Sequence, residues 1–295
     1  RVGIDFLVEK HWPEIEAEYA LAEGGSAIER GGKVRYVTVG TTEKVPRAMR
    51  LVARGTAGHG SRPTPDNAIV RLATAVAKIG AWQPPMRLND TTRAYFERLA
   101  TISPPEEARR YTRIVDPAQS PAIERHFAQH EYGHYSMLRT SVVPTILKGG
   151  FRTNVIPSEA EATLDIRALP DEDLEKLQAE MRKVIDDSSV EIVGPVRRGR
   201  PVARPSRHDT EMFRAIEKTT REMFPGAIAL PMMLVGATDM AQLRAKGVEA
   251  YGYGPVVPES NRHGAHSDDE RIPEGSLEKL VEFLWRAATQ VAAAK

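Results

Sequence analysis

MRLVARG at residues 49–55 reads as a strand that ends in glycine, and GHGSRP at residues 58–63 then turns the chain. From Asn67 to Gly80, apolar residues recur on one face at helical spacing, which predicts a helix. Two strands, a helix with acidic ends and a last strand are predicted further along: Ser141 to Leu147, Ala160 to Ala168, Asp171 to Asp187 and Val190 to Val193. This βαββαβ order predicts the ferredoxin-like split arrangement.

The segments on either side of this module alternate between helix and strand. They predict helices and strands at residues 3–18 (helix), 34–40 (strand), 208–224 (helix), 228–235 (strand), 239–246 (helix), 249–253 (strand) and 274–292 (helix). Such alternation is typical of a mostly parallel, three-layer α/β domain. We therefore predict an α/β protein in which residues 1–45 and 205–295 form one discontinuous domain. The inserted module spans 46–204, carries a helical insertion at about 90–132, and follows a polar, turn-rich hinge at 40–46.

Composition narrows the classes of function. The chain has 295 residues, 41% of them hydrophobic, which is enough for two domains with their own cores. Its 41 Lys and Arg against 40 Asp and Glu give a net charge of +1, so no global field favours nucleic acid or an anionic membrane. No apolar run is long enough to span a bilayer. Because the chain has no cysteine, any metal must be bound by His, Asp or Glu, and no compartment is indicated.

The strongest metal-ligand pattern lies in the loop from His263 to Glu270, which holds two histidines and three carboxylates. An ordinary solvated loop has a similar composition. Glu23 follows an apolar run, and two glycines after it let the backbone turn sharply, although a turn-capping glutamate would look the same. Glu23 and His266 both lie at strand ends of one predicted sheet, where α/β proteins place their ligands. Together they form a partial zinc site.

Four further residues lie in or beside predicted loops. His59 stands between two glycines and is either an exposed, movable group or a simple turn histidine. Asn154 and Arg167 combine an amide and a guanidinium, a natural pair for a carboxylate, although Arg167 alone would suit a surface ion pair. Gly236 opens a helix, so nearby backbone N–H groups can face an anion, while Thr238 or Asp239 can act as the helix cap.

Three histidines in the helical insertion follow one another at helical spacing. They are His126, His130 and His134, and such spacing can create a metal-binding face. The third histidine lies beyond Gly133, and no acid is placed to complete a site. We therefore favour an ordinary helical surface here.

Six motifs occur in a fixed order, and together they resemble the zinc aminoacylase and glutamate carboxypeptidase family. The motifs are Glu23-Gly24-Gly25; Gly58-His59-Gly60-Ser61 with Pro63 and Asp66-Asn67-Ala68; Gly150 with Asn154 to Pro157; Asp165-Ile166-Arg167; Gly236 with Thr238-Asp239; and His266 with Asp269-Glu270. The helical insertion and the segment from Thr145 to Gly150 are similar to the branch that contains carboxypeptidase S and the N-acyl-amino-acid hydrolases.

The resemblance implies a two-zinc hydrolase, with cobalt or manganese as possible substitutes, that cleaves an amide next to a free carboxylate. Its substrate would be a small peptide or an N-acyl-amino acid. Residues 1–45 and 205–295 would be the catalytic domain, and residues 46–204 a lid through which the protein forms a homodimer. The implied roles are metal binding by Glu23 and His266, stabilisation of the tetrahedral oxyanion in the partner's site by His59, and carboxylate binding by Asn154, Arg167 and the backbone of Gly236.

The sequence departs from the family pattern in its first part. The family supplies a His-x-Asp motif, a bridging aspartate and a Glu-Glu pair ahead of the position of Glu23, and neither motif precedes Glu23 here. We therefore expect that the chain is a part of such an enzyme that begins just past the Glu-Glu pair. Each ion would then keep only one of its ligands. The alternative is a non-catalytic module that dimerises or binds carboxylate-bearing ligands.

Overall fold

The computed structural model describes residues 3–195, 200–261 and 267–293. The chain divides into two compact units. Unit 1 comprises Arg1–Glu43, Leu88–Leu138 and Pro201–Lys295, and unit 2 comprises Lys44–Arg87 and Arg139–Arg200. Each unit combines a β-sheet with helices, which confirms the predicted α/β class.

The regular elements are numbered along the chain. The strands are β1 (Tyr19–Ala22), β2 (Ser26–Arg30), β3 (Lys33–Glu43), β4 (Val45–Pro46), β5 (Met49–Arg54), β6 (Gly58–His59), β7 (Ser141–Gly149), β8 (Val155–Ile156), β9 (Glu159–Ala168), β10 (Val190–Val193), β11 (Ile228–Leu234), β12 (Glu249–Gly252) and β13 (Val256–Pro258). The helices are α1 (Ile4–Lys10), α2 (Trp12–Ile15), α3 (Ala68–Ala81), α4 (Asp90–Ala100), α5 (Pro105–Thr112), α6 (Ser120–His130), α7 (Tyr132–Met137), α8 (Leu174–Ile185), α9 (Glu211–Met223), α10 (Met240–Ala245) and α11 (Ser276–Ala292). Within these described ranges, no helix has both the length and the apolar character needed to cross a membrane.

Unit 2 contains the predicted βαββαβ order. Its strands lie side by side as β10-β5-β9-β7, and every pairing among them is antiparallel. Alternate residues of β9, from Ala160 to Ile166, are buried in one core with α3 and α8. The side chain of Asn67 caps α3 by accepting hydrogen bonds from the N–H groups of Ile69 and Val70. The ferredoxin-like arrangement is thus present.

Unit 1 is built on a six-stranded sheet in which three of the five pairings are parallel. β1 runs parallel to β12, β3 to β11, and β2 to β13, whereas β3 is antiparallel to β2 and β12. Adjacent residues of β12 belong to different cores, because Tyr251 packs with α9 and α11 while Ala250 packs with α10 and Trp12. Helices therefore cover both faces, as expected for three layers. The strands β2 and β13 were not among the predicted elements.

The helical insertion belongs to unit 1. The sequence placed it at about 90–132 within the inserted module, but residues 88–138 pack with unit 1. Arg98 of α4 gives the physical reason, because its Nη1 donates to Glu217 of α9 at 2.6 Å and to the carbonyl of Ala229 in β11 at 3.0 Å. Such non-local contacts are not visible in a local pattern.

The segment predicted as a turn-rich hinge, residues 40–46, contains the boundary between the two units, which lies between Glu43 and Lys44, but it is not a turn. β3 continues to Glu43, and Thr41, Thr42, Glu43 and Lys44 are all buried. These residues look like a turn because they are polar, but a buried polar strand is stable when its groups find hydrogen-bond partners. Glu43 has such partners, described below.

Candidate functional site

Glu23 lies directly after β1, and the two glycines that follow it are closely packed, Gly24 against side chains and Gly25 against neighbouring backbone. Gly24 has φ 110°, a conformation that glycine adopts without strain. A Cβ added to Gly25 would lie 2.3 Å from the carbonyl oxygen of Thr38 and 2.7 Å from that of Gly252. There is no room for a side chain at this point. The turn is therefore fixed by close backbone contacts, and Glu23 is left exposed at the end of the strand.

The loop that follows β11 and contains Gly236 lies beside this turn. A Cβ added to Gly24 would lie 2.6 Å from Cδ1 of Leu234 and 3.2 Å from Cγ2 of Thr238. Glu23 and Gly236 therefore lie on neighbouring loops at one edge of the sheet of unit 1. A Cβ built on Gly236 itself would have no heavy atom within 4 Å, so this position faces open space.

A buried network holds the loop after β11. Glu43 accepts hydrogen bonds from the backbone N–H of Thr238 at 2.9 Å and from its hydroxyl. Arg244 lies 3.5 Å from the Glu43 carboxylate and donates to the carbonyls of Gly40 and Ala250 at 2.9 and 2.8 Å. Burial lowers the pKa of Arg244 to about 10, an effect that the charge of Glu43 opposes, so Arg244 remains a cation at neutral pH.

This network changes the interpretation of the Gly236 segment. The N–H of Thr238 already donates to Glu43. This group, one of those expected to face an anion, is therefore not available to a ligand. The hydroxyl of Thr238 accepts a hydrogen bond from the N–H of Met240 at 3.2 Å, whereas Asp239, which occupies the N-cap position of α10, makes no side-chain cap bond. Sequence reasoning missed Glu43 and Arg244 altogether. In the local sequence each is only a single charged residue within a segment that otherwise looks apolar or turn-like.

His59 and Asn154 meet in a separate two-stranded sheet in unit 2. β6 and β8 are antiparallel, with His59 opposite Val155, and the N–H of Gly60 donates to the carbonyl of Asn154 at 2.8 Å. Both predicted site residues are exposed. The turn interpretation of His59 also has a structural basis, because the N–H of Arg62 donates to the His59 carbonyl at 2.8 Å. His59 is therefore exposed, as one interpretation of the sequence expects, and lies on a turn, as the other expects, while its catalytic role stays a prediction.

Arg167 lies elsewhere in unit 2, on the face of the sheet opposite α3 and α8. Its Nε donates to both carboxylate oxygens of Asp165, at 2.9 and 3.1 Å, so it forms the ion pair that was the alternative to ligand binding. Two buried cations, Lys44 and Arg139, accompany it. Burial, followed by the charges of Arg139 and Arg167, lowers the pKa of Lys44 to about 7. Neither Lys44 nor Arg139 was singled out from the sequence.

The histidines of the insertion surround one acid that sequence reasoning overlooked. Glu131 lies between α6 and α7, where its carboxylate is 2.5 Å from Nδ1 of His134 and 3.2 Å from Nε2 of His126. The hydroxyl of Tyr111 donates to the same carboxylate at 3.1 Å. Burial opposes ionisation of Glu131, but the hydrogen bonds from His134 and Tyr111 and the charges of His134 and Arg110 together outweigh it and lower the pKa of Glu131. An acid therefore accompanies these histidines, but the described side chains here do not form a group arranged to hold a metal ion.

The metal ligands predicted from the sequence are only partly open to description. His263 and His266 lie outside the described residues. Among the residues that the structure does describe, no group of three His, Asp or Glu side chains is arranged to hold a metal ion. Glu23 on its own supplies one carboxylate. The described donors therefore do not make up a metal site.

Comparisons with known proteins place the chain in a family. The family model of the M20 peptidase dimerisation domain matches residues 42–193, just over half of the chain. The N-fatty-acyl-amino acid synthase/hydrolase PM20D1 of Xenopus tropicalis is 27% identical over 290 residues, which cover 95% of this chain and 55% of that protein. A probable carboxypeptidase S-like 2 of Dictyostelium discoideum is 26% identical over 265 residues, which cover 84% of this chain and 47% of that protein.

A solved structure from the same family has a similar fold. The solved structure of an M20 family metallo-carboxypeptidase from Sulfolobus solfataricus aligns with a TM-score of 0.61 at 14% identity, covering 97% of this chain and 65% of that one. This similarity shows the fold alone. The chain spans about half the length of the curated relatives that it matches. The family model confirms the resemblance inferred from the six motifs, and the chain belongs to the M20 peptidase family.

Proposed function

We propose that this chain is part of a metal-dependent hydrolase that cleaves an amide or peptide bond next to a free carboxylate. The observation that carries the proposal is the extent of the similarity. A relative named as an N-fatty-acyl-amino acid synthase/hydrolase aligns with 95% of the chain, and a span of that length includes both Glu23 and His266. The carboxypeptidase S-like relative supports the same class of bond. Small peptides and N-acyl-amino acids are therefore the proposed substrates.

In this proposal Glu23 and His266 each bind one of two divalent ions, with zinc preferred and cobalt or manganese as substitutes. The fixed turn around Glu23 supports its part, because a ligand held by backbone packing needs little reorganisation to bind an ion. The described residues supply only part of the donors that two ions need. What this chain contributes on its own is a set of groups that can bind and orient the substrate.

The proposed oxyanion donor is His59, acting in the site of a partner subunit. A ring N–H group held at a fixed turn can donate a hydrogen bond to the oxygen that becomes negative when a carbonyl is attacked. Asn154 lies beside His59 across the β6–β8 pair, which supports a shared role in contacting one substrate. Arg167 and the backbone of Gly236 complete the proposed carboxylate-binding set. Arg167 would have to exchange its bond to Asp165 for one to the substrate.

The proposed homodimer forms through unit 2, which carries most of the matched dimerisation domain. β7 pairs with β9 on one side, and no described strand pairs with its other side. Four apolar side chains on or just after this edge are between 49% and 78% exposed: Val143, Ile146, Leu147 and Phe151. An exposed apolar strand edge favours association, and a second copy of the chain offers the same edge in return.

The test compares two histidines of one loop in the full-length protein. His266→Ala should lower kcat/KM for N-acyl-amino acids and dipeptides by more than about 100-fold and reduce the metal bound per chain. His263→Ala is the matched control, because it removes the same side chain three residues away, and it should leave both values close to those of the parent protein. Full activity and metal content in the His266→Ala protein would rule out the proposed function.

A further inference from the structure

The ring of His59 is bound from one side by the residue two positions further along. The backbone N–H of Ser61 donates to Nδ1 of His59 at 3.2 Å, and the hydroxyl oxygen of Ser61 lies 2.8 Å from the same nitrogen. These contacts sit inside the turn that is closed by the hydrogen bond from the Arg62 N–H to the His59 carbonyl. Backbone and side chain of Ser61 thus converge on one ring nitrogen.

The backbone contact decides which nitrogen carries the proton. An amide N–H can only donate, so Nδ1 must offer its lone pair, and in a neutral imidazole the proton is then on Nε2. The other tautomer would place an N–H at Nδ1 facing the N–H of Ser61, which is repulsive. In the favoured tautomer the Ser61 hydroxyl also donates to Nδ1. Nε2, on the other side of the ring, is therefore the hydrogen-bond donor.

We propose that Ser61 is a positioning residue that holds His59 in its Nε2–H tautomer and orients the ring so that Nε2 donates. The identity of the acceptor, a carbonyl oxygen of the substrate, rests on the proposed function. The tautomer does not, because it follows from contacts within this chain. A histidine whose second nitrogen is held by a neighbour keeps its ring direction as well as its proton, which is a general way to orient a functional imidazole.

The inference predicts a measurable change when the hydroxyl is lost. A hydrogen bond contributes about 0.5–1.5 kcal/mol net, which corresponds to roughly a 2- to 12-fold change in a ratio of two states. Ser61→Ala keeps the backbone donor, so the Nε2–H tautomer should stay predominant, but it loses the hydroxyl bond to Nδ1, so the ratio of the held ring orientation to other ring orientations should fall by about that factor. Ser61→Thr keeps a hydroxyl at the same atom position and should restore the ratio.

The tautomer is measured on this chain by long-range 1H–15N NMR of 15N-labelled histidine, with the His59 signals identified by their loss in His59→Gln. At a pH where imidazole is neutral, the unsubstituted chain should show the Nε2–H pattern. A predominant Nδ1–H pattern, or a Ser61→Ala spectrum identical to that of the parent chain, would overturn the proposal. In the full-length enzyme Ser61→Ala should lower kcat about 2- to 12-fold with KM nearly unchanged, and Ser61→Thr should recover it. If the full-length protein hydrolyses no amide, the NMR result still decides the role of Ser61.

Discussion

The buried pair of Glu43 and Arg244 offers the sharpest quantitative test of how unit 1 holds its candidate site. Both side chains are nearly inaccessible, at 6% and 2% exposed, so solvent does not screen their interaction. Glu43→Gln keeps the size of the side chain and an acceptor for the Thr238 N–H but removes the charge. Arg244→Met keeps the aliphatic stem and removes the charge together with the hydrogen bonds to Gly40 and Ala250.

Removing one partner of a buried ion pair costs about 3–5 kcal/mol, because the other charge stays buried without compensation. Glu43→Gln should fall near the lower end, about 3 kcal/mol, since Arg244 keeps its carbonyl partners. Arg244→Met should cost nearer to 5 kcal/mol, since two carbonyls and a carboxylate lose a donor. The double variant buries no charge at all. Its cost should be at least about 2 kcal/mol below the sum of the single costs.

The assay is urea unfolding of the four proteins, followed by circular dichroism and by tryptophan fluorescence. Trp12 packs in the same cluster as Met240 and Ala250, so its emission reports on this face of unit 1. With typical slopes of about 1–3 kcal/mol per molar urea, a loss of 3 kcal/mol moves the midpoint by about 1–3 M. Arg286→Met, which breaks an exposed pair with Glu282, is the control and should cost less than about 1 kcal/mol. Single-variant costs below about 1 kcal/mol, or strictly additive costs, would refute the argument.

Three further predictions test other parts of the molecule. Burial lowers the pKa of Lys44 from 10.5 to about 7, so between these pH values the unfolded state binds a proton that the folded state does not, and the free energy of unfolding rises with pH. Lys44→Met should therefore be more stable than the parent chain near pH 6. In urea unfolding this advantage should shrink from pH 7 to 10.5. Gly25→Ala should lose more than about 2 kcal/mol of unfolding free energy, because its Cβ would lie 2.3 Å from a carbonyl oxygen. Gly236→Ala should lose less than about 1 kcal/mol, because its Cβ would meet no heavy atom within 4 Å. Equal losses would contradict the packing argument. Leu147→Glu should convert a dimer into a monomer in sedimentation experiments, while Val115→Glu, at an exposed apolar position of unit 1, should not change the association state.

The elements that sequence reasoning found are those whose pattern is local and complete. β9 alternates buried residues with half-buried or exposed ones over its full length, and α3 has both an apolar face and an asparagine cap. The sequence of each element therefore predicts its structure without information from neighbouring elements. β2 does not. Only Ala27 and Ile28 are buried in it, and its identity as a strand comes from pairing with β3 and β13, which is information from elsewhere in the chain.

The same contrast between local patterns and distant contacts holds for the residues of the candidate site. Loops with glycine next to a charged or ring side chain, such as those at Glu23 and His59, stand out in the sequence because glycine marks a turn. The residues that fix those loops do not stand out. Glu43 and Arg244 are separated by two hundred positions and are recognisable as partners only once β3 and α10 are folded side by side. Ser61 is the exception, since it lies close enough to His59 to be read from the motif itself.

The position of Glu23 bears on which of its two sequence interpretations is better. A turn-capping glutamate accepts a hydrogen bond from a nearby backbone N–H, and no such bond joins its carboxylate to another residue in the described part of the chain. The turn is instead held by glycine contacts that would persist without the carboxylate, because Gly25 and Gly252 pack against backbone carbonyl groups and Gly24 packs against the side chains of Leu234 and Thr238. A charged side chain that does not stabilise its own turn is free to be selected for binding. The cap interpretation of Glu23 therefore has no hydrogen bond behind it in the described part of the chain, and metal binding by Glu23 stays a proposal.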